Sequence, residues 1–189
     1  MESIAVLLTC HNRKKTTIEC LENLFLPKDV NFDVFLVDDG STDGTGEAVR
    51  NVYPHVNVID GTGDLFWNQG MLLAWKSAAS ANDYDFYIWL NDDTKLRKDS
   101  IIKLFKDYSY IKNDLQEDGV IVGSCVESTT ETTFSYGGRN HKNPVIPNGL
   151  PQECNYINGN FVLIPKIVFE RVGFLSSRFT HAIGDIDYG

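Results

Sequence analysis

Several features that would mark a membrane protein, a secreted protein or a cysteine metal centre are missing from this sequence. No apolar run approaches the ~20 residues of a membrane-spanning helix. The apolar run at residues 4–8 follows Glu2 rather than Lys or Arg, so it predicts a strand and not a signal peptide. The 4 cysteines form no Cys-x-x-Cys pair and show no metal-ligand spacing with histidine. We therefore expect reduced thiols in a cytoplasmic protein, with peripheral contact at the inner face of the membrane left open.

Basic residues are also scarce. The sequence has 17 Lys and Arg against 26 Asp and Glu, a formal net charge of −9. A sequence-independent nucleic-acid binder needs an excess of Lys and Arg to displace counterions from phosphates, so we expect no nucleic-acid partner. A single nucleotide remains compatible with this charge, because a metal ion and a few backbone amides can hold one small anion.

What the sequence does contain is an alternation of short apolar runs and helix-period segments. Strands are predicted at residues 3–9, 33–37, 57–59, 86–90 and 120–123. Helical spacing between them marks four segments: Ile18, Leu21 and Phe25; residues 45–52; residues 69–81; and Ile101, Leu104, Phe105 and Tyr108. This alternation predicts the α/β class, as a single Rossmann-like domain with a mostly parallel sheet and helices on both faces. The aromatic residues near the fourth strand are expected in its core: Tyr84, Phe86, Tyr87 and Trp89.

The pattern changes after residue 123. Residues 124–155 are rich in Ser, Thr, Gly and Pro, which predicts an excursion with short antiparallel strands. A strand at residues 161–164 and a helix at residues 166–172 follow. The last residues enter a helix with acids in its first turn, so we expect the natural protein to continue beyond Gly189.

Acidic clusters follow the strands, where parallel sheets bind their ligands. They are residues 38–43, 91–93 and 184–187. Helix capping is an equal alternative for the first cluster, because Asp43 and Ser41 are suited to cap the next helix. The second cluster directly follows an apolar strand, which predicts carboxylates presented together and neutralised by Mg²⁺ or Mn²⁺.

The order of the motifs resembles the large inverting glycosyltransferase family two. Residues 9–13 (TCHNR) and 37–45 (VDDGSTDGT) look like its first two motifs, and residues 91–93 (NDD) occupy the place of its Asp-x-Asp metal motif. Its acceptor-side pattern is followed by residues 158–164 (NGNFVLI), 171–174 (RVGF) and 184–189 (GDIDYG).

This resemblance covers essentially the whole chain and implies a GT-A fold. Residues 1–123 would bind the nucleotide sugar, and residues 124–189 would face the acceptor. Within the first half, Thr9 and Asn12 would line the nucleobase pocket, and Asp39 would bond the base.

The resemblance also assigns the metal ligand and the general base. Asp93 would ligate the Mg²⁺ or Mn²⁺ that bridges the diphosphate, with Asn91 and Asp92 beside the substrate. Asp185 would be the general base and Asp187 a nearby acidic partner.

On the acceptor side, Gly159 and Asn160 would shape the floor of the site. The implied reaction displaces the nucleoside diphosphate from the anomeric carbon, with inversion, and attaches the sugar to a hydroxyl of a glycan or lipid-linked acceptor. A cation stabilises the leaving group and a carboxylate takes the proton, so no covalent nucleophile is required.

Two positions depart from the family pattern. Asn91 replaces the usual first Asp of the metal motif, and Trp67 stands where many relatives carry a basic residue. Trp67 would either wall the donor sugar or pack against the helix it opens. The neighbouring Asn68 still fits the pattern of a substrate-binding residue. These departures suggest the rhamnosyltransferase-like branch.

Other readings remain open. His181 is either a hydrogen-bonded loop residue or a contact to substrate or metal, and His11 is expected to position its loop. A sugar-nucleotide pyrophosphorylase has comparable acids, but residues 9–15 lack the glycines of its first loop. A non-catalytic module that binds a sugar nucleotide or a partner is kept open by Asn91.

Overall fold

A computed structural model describes residues 2–27, 30–127, 133–141, 143–181 and 183–189. The first part of the chain alternates strands and helices as predicted: β1 (Ile4–Cys10), α1 (Lys14–Leu24), β2 (Asp33–Asp38), α2 (Thr45–Val52), β3 (Asn57–Asp60), α3 (Phe66–Ala81), β4 (Phe86–Leu90), α4 (Ser100–Asn113) and β5 (Ile121–Val122). The later elements are β6 (Cys125–Val126), β7 (Phe134–Tyr136), β8 (Arg139–Asn140), β9 (Asn143–Pro144), β10 (Phe161–Pro165), α5 (Lys166–Val172) and α6 (Gly184–Tyr188).

In the described part of the chain, six strands form the central sheet in the order β3-β2-β1-β4-β10-β5. The pairs β1–β2, β2–β3 and β1–β4 are parallel. Strand β10 runs antiparallel to both its neighbours, with Phe161 opposite Leu90 and Val162 opposite Val122. The chain leaves β5 at the carboxyl edge, and the described residues between β5 and β10 contain no crossover helix; β10 runs back from that edge.

Helices cover both faces of the sheet, because alternate strand residues point to opposite sides. Val6 and Leu8 face the cluster that α1, α2 and α4 complete. Ala5 and Leu7 face the cluster that α3 and α5 complete. The aromatic residues expected in the core are all buried: Tyr84, Phe86, Tyr87 and Trp89.

The excursion carries two short antiparallel pairs, β6–β7 and β8–β9, as predicted. The predicted helix at 166–172 is confirmed by α5, whereas α3 begins at Phe66 rather than at residue 69. Each described helix is too short or too polar to cross a bilayer. All 4 cysteines are free thiols, with Cys10 and Cys20 buried.

Candidate active site

The loops that follow β1 and β2 are joined at the carboxyl edge of the sheet by Asn12. Its backbone N–H donates to Ser41 Oγ at 2.8 Å, and its side-chain Oδ1 accepts from the Thr42 amide at 2.7 Å. Asn12 has a φ of 52°, a left-handed conformation in which asparagine is enriched. Thr9 lies against α3, where a methyl group on Gly70 would overlap its hydroxyl. Contact of Thr9 and Asn12 with a base stays a prediction.

Asp39 is buried, and backbone amides occupy its carboxylate. Oδ1 accepts from Gly63 at 2.7 Å, and Oδ2 accepts from Leu65 at 2.9 Å and Phe66 at 3.0 Å. These amides belong to the loop at residues 61–65 and the first residue of α3. Asp39 is 3% exposed, and its carboxylate already accepts hydrogen bonds from this loop. A nucleobase that donates to Asp39 would therefore have to share the carboxylate with these amides.

The sequence left open that Asp43 and Ser41 cap the helix α2. The structure shows such a contact for Asp43 only. Asp43 Oδ1 accepts from the amide of Thr45, the first residue of α2, at 3.0 Å, although the N-cap position itself is Gly44. Ser41 accepts from the Asn12 amide instead, so it joins the loops and does not cap the helix.

In the Asn-Asp-Asp cluster after β4, the two carboxylates share Arg13 Nη1, at 3.3 Å from Asp92 and 2.7 Å from Asp93, but they differ in exposure. Asp92 is 6% exposed and turns towards α1. Its carboxylate accepts from Thr17 Oγ1 at 3.2 Å and from Arg13 at 3.3 Å. Burial raises the pKa of Asp92 to about 6, and the Arg13 guanidinium opposes that rise. This carboxylate anchors the loop to α1, and the predicted substrate contact of Asp92 stays a prediction.

Asp93 keeps 46% of its side chain exposed and pairs with Arg13 at 2.7 Å. Sequence reasoning gave Arg13 no role, although it closes the first motif. Its contacts with Asp92 and Asp93 show that it supplies the local positive charge. A basic residue in a loop expected beside an acidic motif was the available signal.

A divalent cation fits this arrangement only if the substrate supplies most of its ligands. Among the residues that the structure describes, no group of three or more His, Cys, Asp or Glu side chains is placed to hold a metal ion. The buried Asp92 carboxylate is bonded to Thr17 of α1, so Asp93 is the accessible carboxylate of this cluster. One carboxylate with substrate phosphates and water is an ordinary coordination for Mg²⁺.

The two positions that depart from the family pattern contact each other. The Trp67 indole Nε1–H donates to Asn91 Oδ1 at 2.7 Å. Trp67 packs edge-to-face on Trp89, with ring centroids 5.9 Å apart, and a methyl group on Gly159 would overlap its ring. Trp67 therefore packs between Trp89 of β4 and Gly159, and its contact with a sugar stays a prediction.

The acceptor-side residues meet next to this pair. Asp185 lies in the first turn of α6, and its Oδ2 accepts from the Gly159 amide at 2.9 Å. The Asn160 carbonyl accepts from the Asn91 amide at 2.9 Å, which joins this segment to the end of β4. Asp187 is exposed, two residues further along the same short helix. The structure thus brings Asp185, Gly159 and Asn160 together beside Asn91, while their chemical roles stay predictions.

Asn68 is completely buried, and its predicted contact with substrate stays a prediction. Its Nδ2 donates to the carbonyl oxygens of Ser176 at 2.9 Å and Phe179 at 2.7 Å. Its backbone N–H donates to the Thr180 carbonyl at 2.9 Å. Asn68 therefore holds the segment that leads from α5 to Asp185.

The two histidines lie at the edges of the site. His11 Nδ1 is 2.5 Å from the Asp39 carbonyl oxygen, which is consistent with its expected positioning role. His181 is exposed, with its ring centroid 5.8 Å from that of Phe66.

Solved structures share this architecture. A mannosyltransferase from Pyrobaculum calidifontis, in complex with GDP-Man and Mn²⁺, superposes with a TM-score of 0.64 at 18% identity, over 97% of this chain and 49% of that one. TarS 1–349 from Staphylococcus aureus, in complex with UDP, gives a TM-score of 0.65 at 16% identity, over 98% of this chain and 53% of that one. The fold is that of a GT-A glycosyltransferase domain, and the chain spans about half of these longer chains.

Comparison of sequences also finds related proteins. A poly-β-1,6-N-acetyl-D-glucosamine synthase of Staphylococcus aureus (strain COL) is 26% identical over 110 residues, which is 58% of this chain and 26% of that protein. A glycosyltransferase, GlyG, of Streptococcus pneumoniae serotype 4 is 41% identical over 46 residues, 24% of this chain and 15% of that protein. The model of glycosyl transferase family 2 matches residues 5–174. With most of its 189 residues matched by that model, the chain belongs to glycosyl transferase family 2.

Proposed function

We propose that this chain binds a nucleotide-diphosphate sugar and transfers the sugar, with inversion, to a hydroxyl of a glycan or lipid-linked acceptor. One observation carries the proposal. The Asp185 carboxylate is held by the Gly159 amide at 2.9 Å, in a segment that is itself bonded to Asn91, two residues before the exposed Asp93. An acid suited to take a proton and an acid suited to a cation thus lie on neighbouring segments at the carboxyl edge of the sheet.

The donor would lie along the first half of the chain, residues 1–123. Asn12 joins the first two loops, and Asp39 fixes the loop before α3, so these residues would shape the nucleotide pocket. Asp93 would hold Mg²⁺ or Mn²⁺ against the diphosphate, and this cation would stabilise the charge that develops on the leaving group. Arg13, which already neutralises Asp93 at 2.7 Å, would provide a second positive charge for the diphosphate.

Asp185 would act on the acceptor. Two amides orient its carboxylate, Gly159 at 2.9 Å and Ile186 at 3.0 Å. A carboxylate held in this way is suited to accept the proton of an attacking hydroxyl. Attack from the side of Asp185 and departure on the side of Asp93 would invert the anomeric carbon, without a covalent intermediate.

Solved relatives support the donor class. TarS 1–349 has structures with UDP and with UDP-GlcNAc, and the Pyrobaculum mannosyltransferase has one with GDP-Man and Mn²⁺. We infer a nucleotide sugar for this chain too, without a choice of base or sugar. The acceptor side, residues 124–189, would meet its substrate in the cytoplasm, at the inner face of a membrane if the acceptor is lipid-linked. Membership of the rhamnosyltransferase-like branch stays a prediction.

A second candidate is a module that binds a sugar nucleotide without turning it over. One observation favours this second candidate. Asn91 is not an acid and Asp92 is bonded to Thr17 of α1, so Asp93 is the carboxylate of this cluster that is left for a cation.

Isothermal titration of UDP-, GDP-, dTDP- and CDP-sugars, with Mn²⁺ and with a chelator, tests the proposal. We expect one nucleotide class to bind, and to bind more tightly with Mn²⁺. Absence of binding by all four classes would overturn the proposal. Mn²⁺-dependent release of nucleoside diphosphate from the bound sugar nucleotide then separates the enzyme from the module.

A further inference from the structure

We propose that Trp67 is a positioning residue that fixes the Asn91 amide so that its N–H group donates to an oxygen of the donor sugar. This inference rests on the proposed function and adds the residues that would select the sugar. It concerns the two positions at which the sequence departs from its family pattern, which the structure shows in direct contact.

The orientation of the Asn91 amide follows from its partner. An indole N–H is a donor only, so the Asn91 atom that lies 2.7 Å from Trp67 Nε1 must be the amide oxygen. The amide nitrogen therefore points the other way. Among the residues that the structure describes, this nitrogen has no hydrogen-bond partner, and Asn91 is only half-buried. An N–H donor is thus available to a ligand.

The position of the pair places it along the sugar. Asp93, two residues after Asn91, is the acid proposed to face the diphosphate. Beneath the Trp67 ring lies Gly159, whose amide holds Asp185 at 2.9 Å. The sugar must span the interval between the leaving diphosphate and the base that serves the attacking hydroxyl. Trp67 and Asn91 occupy that interval.

The pair is also rigid. Trp67 packs edge-to-face on Trp89, with centroids 5.9 Å apart, and Trp89 in turn contacts Trp75 and Tyr188 at 5.5 and 5.1 Å. The Asn91 backbone is held by the Asn160 carbonyl at 2.9 Å. A donor fixed before the ligand arrives loses little entropy on binding.

The chemistry of the pair indicates what it recognises. A fixed N–H donor increases the affinity for a sugar that carries an oxygen at the facing position. It disfavours a deoxy analogue, because that analogue would leave the donor unpaired. The pair is neutral, so it adds no carboxylate to the cation site.

The test is a double-mutant cycle on affinity. The variants are Trp67→Phe, which keeps a ring over Gly159 but has no N–H, Asn91→Ala, and the double variant. Asn113→Ala, on the exposed end of α4, is the matched control. Titrations with Mn²⁺ use UDP-GlcNAc against UDP and GDP-mannose against GDP. The indole N–H resonances of the three tryptophans report whether the Trp67 bond exists, because the structure leaves Trp75 and Trp89 without a partner for theirs.

We expect Asn91→Ala to weaken binding of the nucleotide sugar by about 2- to 12-fold, the range for one neutral hydrogen bond, and to leave the nucleoside diphosphate unaffected. Trp67→Phe should act in the same direction, and the double variant should lose no more than Asn91→Ala alone. The Trp67 indole resonance should shift in Asn91→Ala and stay unchanged in Asn113→Ala.

Three outcomes would overturn the inference while leaving the proposed function intact. Equal loss of nucleotide sugar and nucleoside diphosphate would place the pair at the diphosphate. Unchanged affinities would make the pair purely structural, and additive losses in the double variant would show that the two residues act independently. If wild-type protein binds no UDP-, GDP-, dTDP- or CDP-sugar, the proposed function itself fails.

Discussion

Arg13 is the basic side chain that pairs with Asp93. Arg13 lies 3.3 Å from Asp92 and 2.7 Å from Asp93, so one guanidinium serves a buried acid and an exposed one. The buried acid has a further partner in Thr17, whereas Asp93 is largely exposed and pairs with Arg13. Asp93 can therefore exchange its partner for a cation at lower cost than Asp92.

Asp93→Asn should remove the effect of Mn²⁺ on nucleotide-sugar affinity, because the amide keeps the shape and loses the charge that a hard cation prefers. We expect a loss of roughly tenfold or more in the presence of Mn²⁺, which corresponds to about 1.4 kcal/mol. Asp99→Asn, at an exposed acid paired with Lys103 at 2.7 Å, is the control. The measurement is titration of the nucleotide sugar with and without Mn²⁺. If Mn²⁺ still raises the affinity of Asp93→Asn, this residue does not belong to the cation site.

Sequence patterns identified the acids near the site but not the direction in which each side chain points. Asp92 and Asp93 are adjacent and chemically identical, yet one is buried against α1 and the other is exposed. The partners that separate them, Thr17 and Arg13, are 75 and 79 residues away from Asp92 along the chain. No local pattern reports such a contact. The same limit applies to Trp67 and Asn91, which meet across 24 residues.

At the scale of elements, α3 connects the two sides of the site. Its first turn is held by Asp39 from the donor side, through the amides of Leu65 and Phe66. One turn later, Asn68 and Gln69 hold the carbonyl groups of the segment that leads to α6. This helix therefore links the loop at residues 61–65 to the segment that leads to Asp185.

Asp39→Ala should destabilise the fold by about 1–3 kcal/mol, because it leaves buried amides without their acceptor. Urea denaturation measures this effect. Asp64→Ala, at an exposed acid in the same loop, should stay within about 0.5 kcal/mol of the wild type. Equal stability of the two variants would show that the loop does not depend on Asp39.

Asn68→Ala should loosen residues 176–180 without changing donor affinity. The two carbonyl groups that its Nδ2 serves, at 2.9 and 2.7 Å, would lose their donor. Hydrogen exchange of amides in this segment should quicken, while amides of β1 keep their protection. Unchanged exchange, or weaker nucleotide binding with an unmoved segment, would return Asn68 to the role of a substrate contact.

Element positions were predictable where the signal is periodic, and their details were not. Apolar runs located β1 to β4, and helical spacing located α5 at the expected residues. The start of α3 was placed three residues late, because the acceptor for its first amides, Asp39, comes from another loop. The direction of β10 was not predictable either, since an apolar run marks a strand without giving its neighbours.

At the scale of the whole molecule, the antiparallel strand β10 brings the segment that precedes it to the edge of the sheet where the acids after β4 lie. It begins where its neighbour β4 ends, with Phe161 opposite Leu90. Residues 91–93, which follow β4, and residues 158–160, which precede β10, therefore meet at the same edge. Had β10 been parallel to β4, its preceding segment would lie at the opposite edge of the sheet, far from Asp93.

The most direct test of the account is the Mn²⁺-dependent release of nucleoside diphosphate from UDP-GlcNAc and GDP-mannose, compared between wild type, Asp185→Asn and Asp187→Asn. Asp185→Asn keeps the shape of the side chain and removes its basicity, so turnover should fall by roughly 10²–10⁴-fold, the range for loss of a general base. Donor affinity should stay unchanged in that variant, and Asp187→Asn should retain most of the activity. Near-normal turnover in Asp185→Asn, or loss of turnover only in Asp187→Asn, would contradict the account.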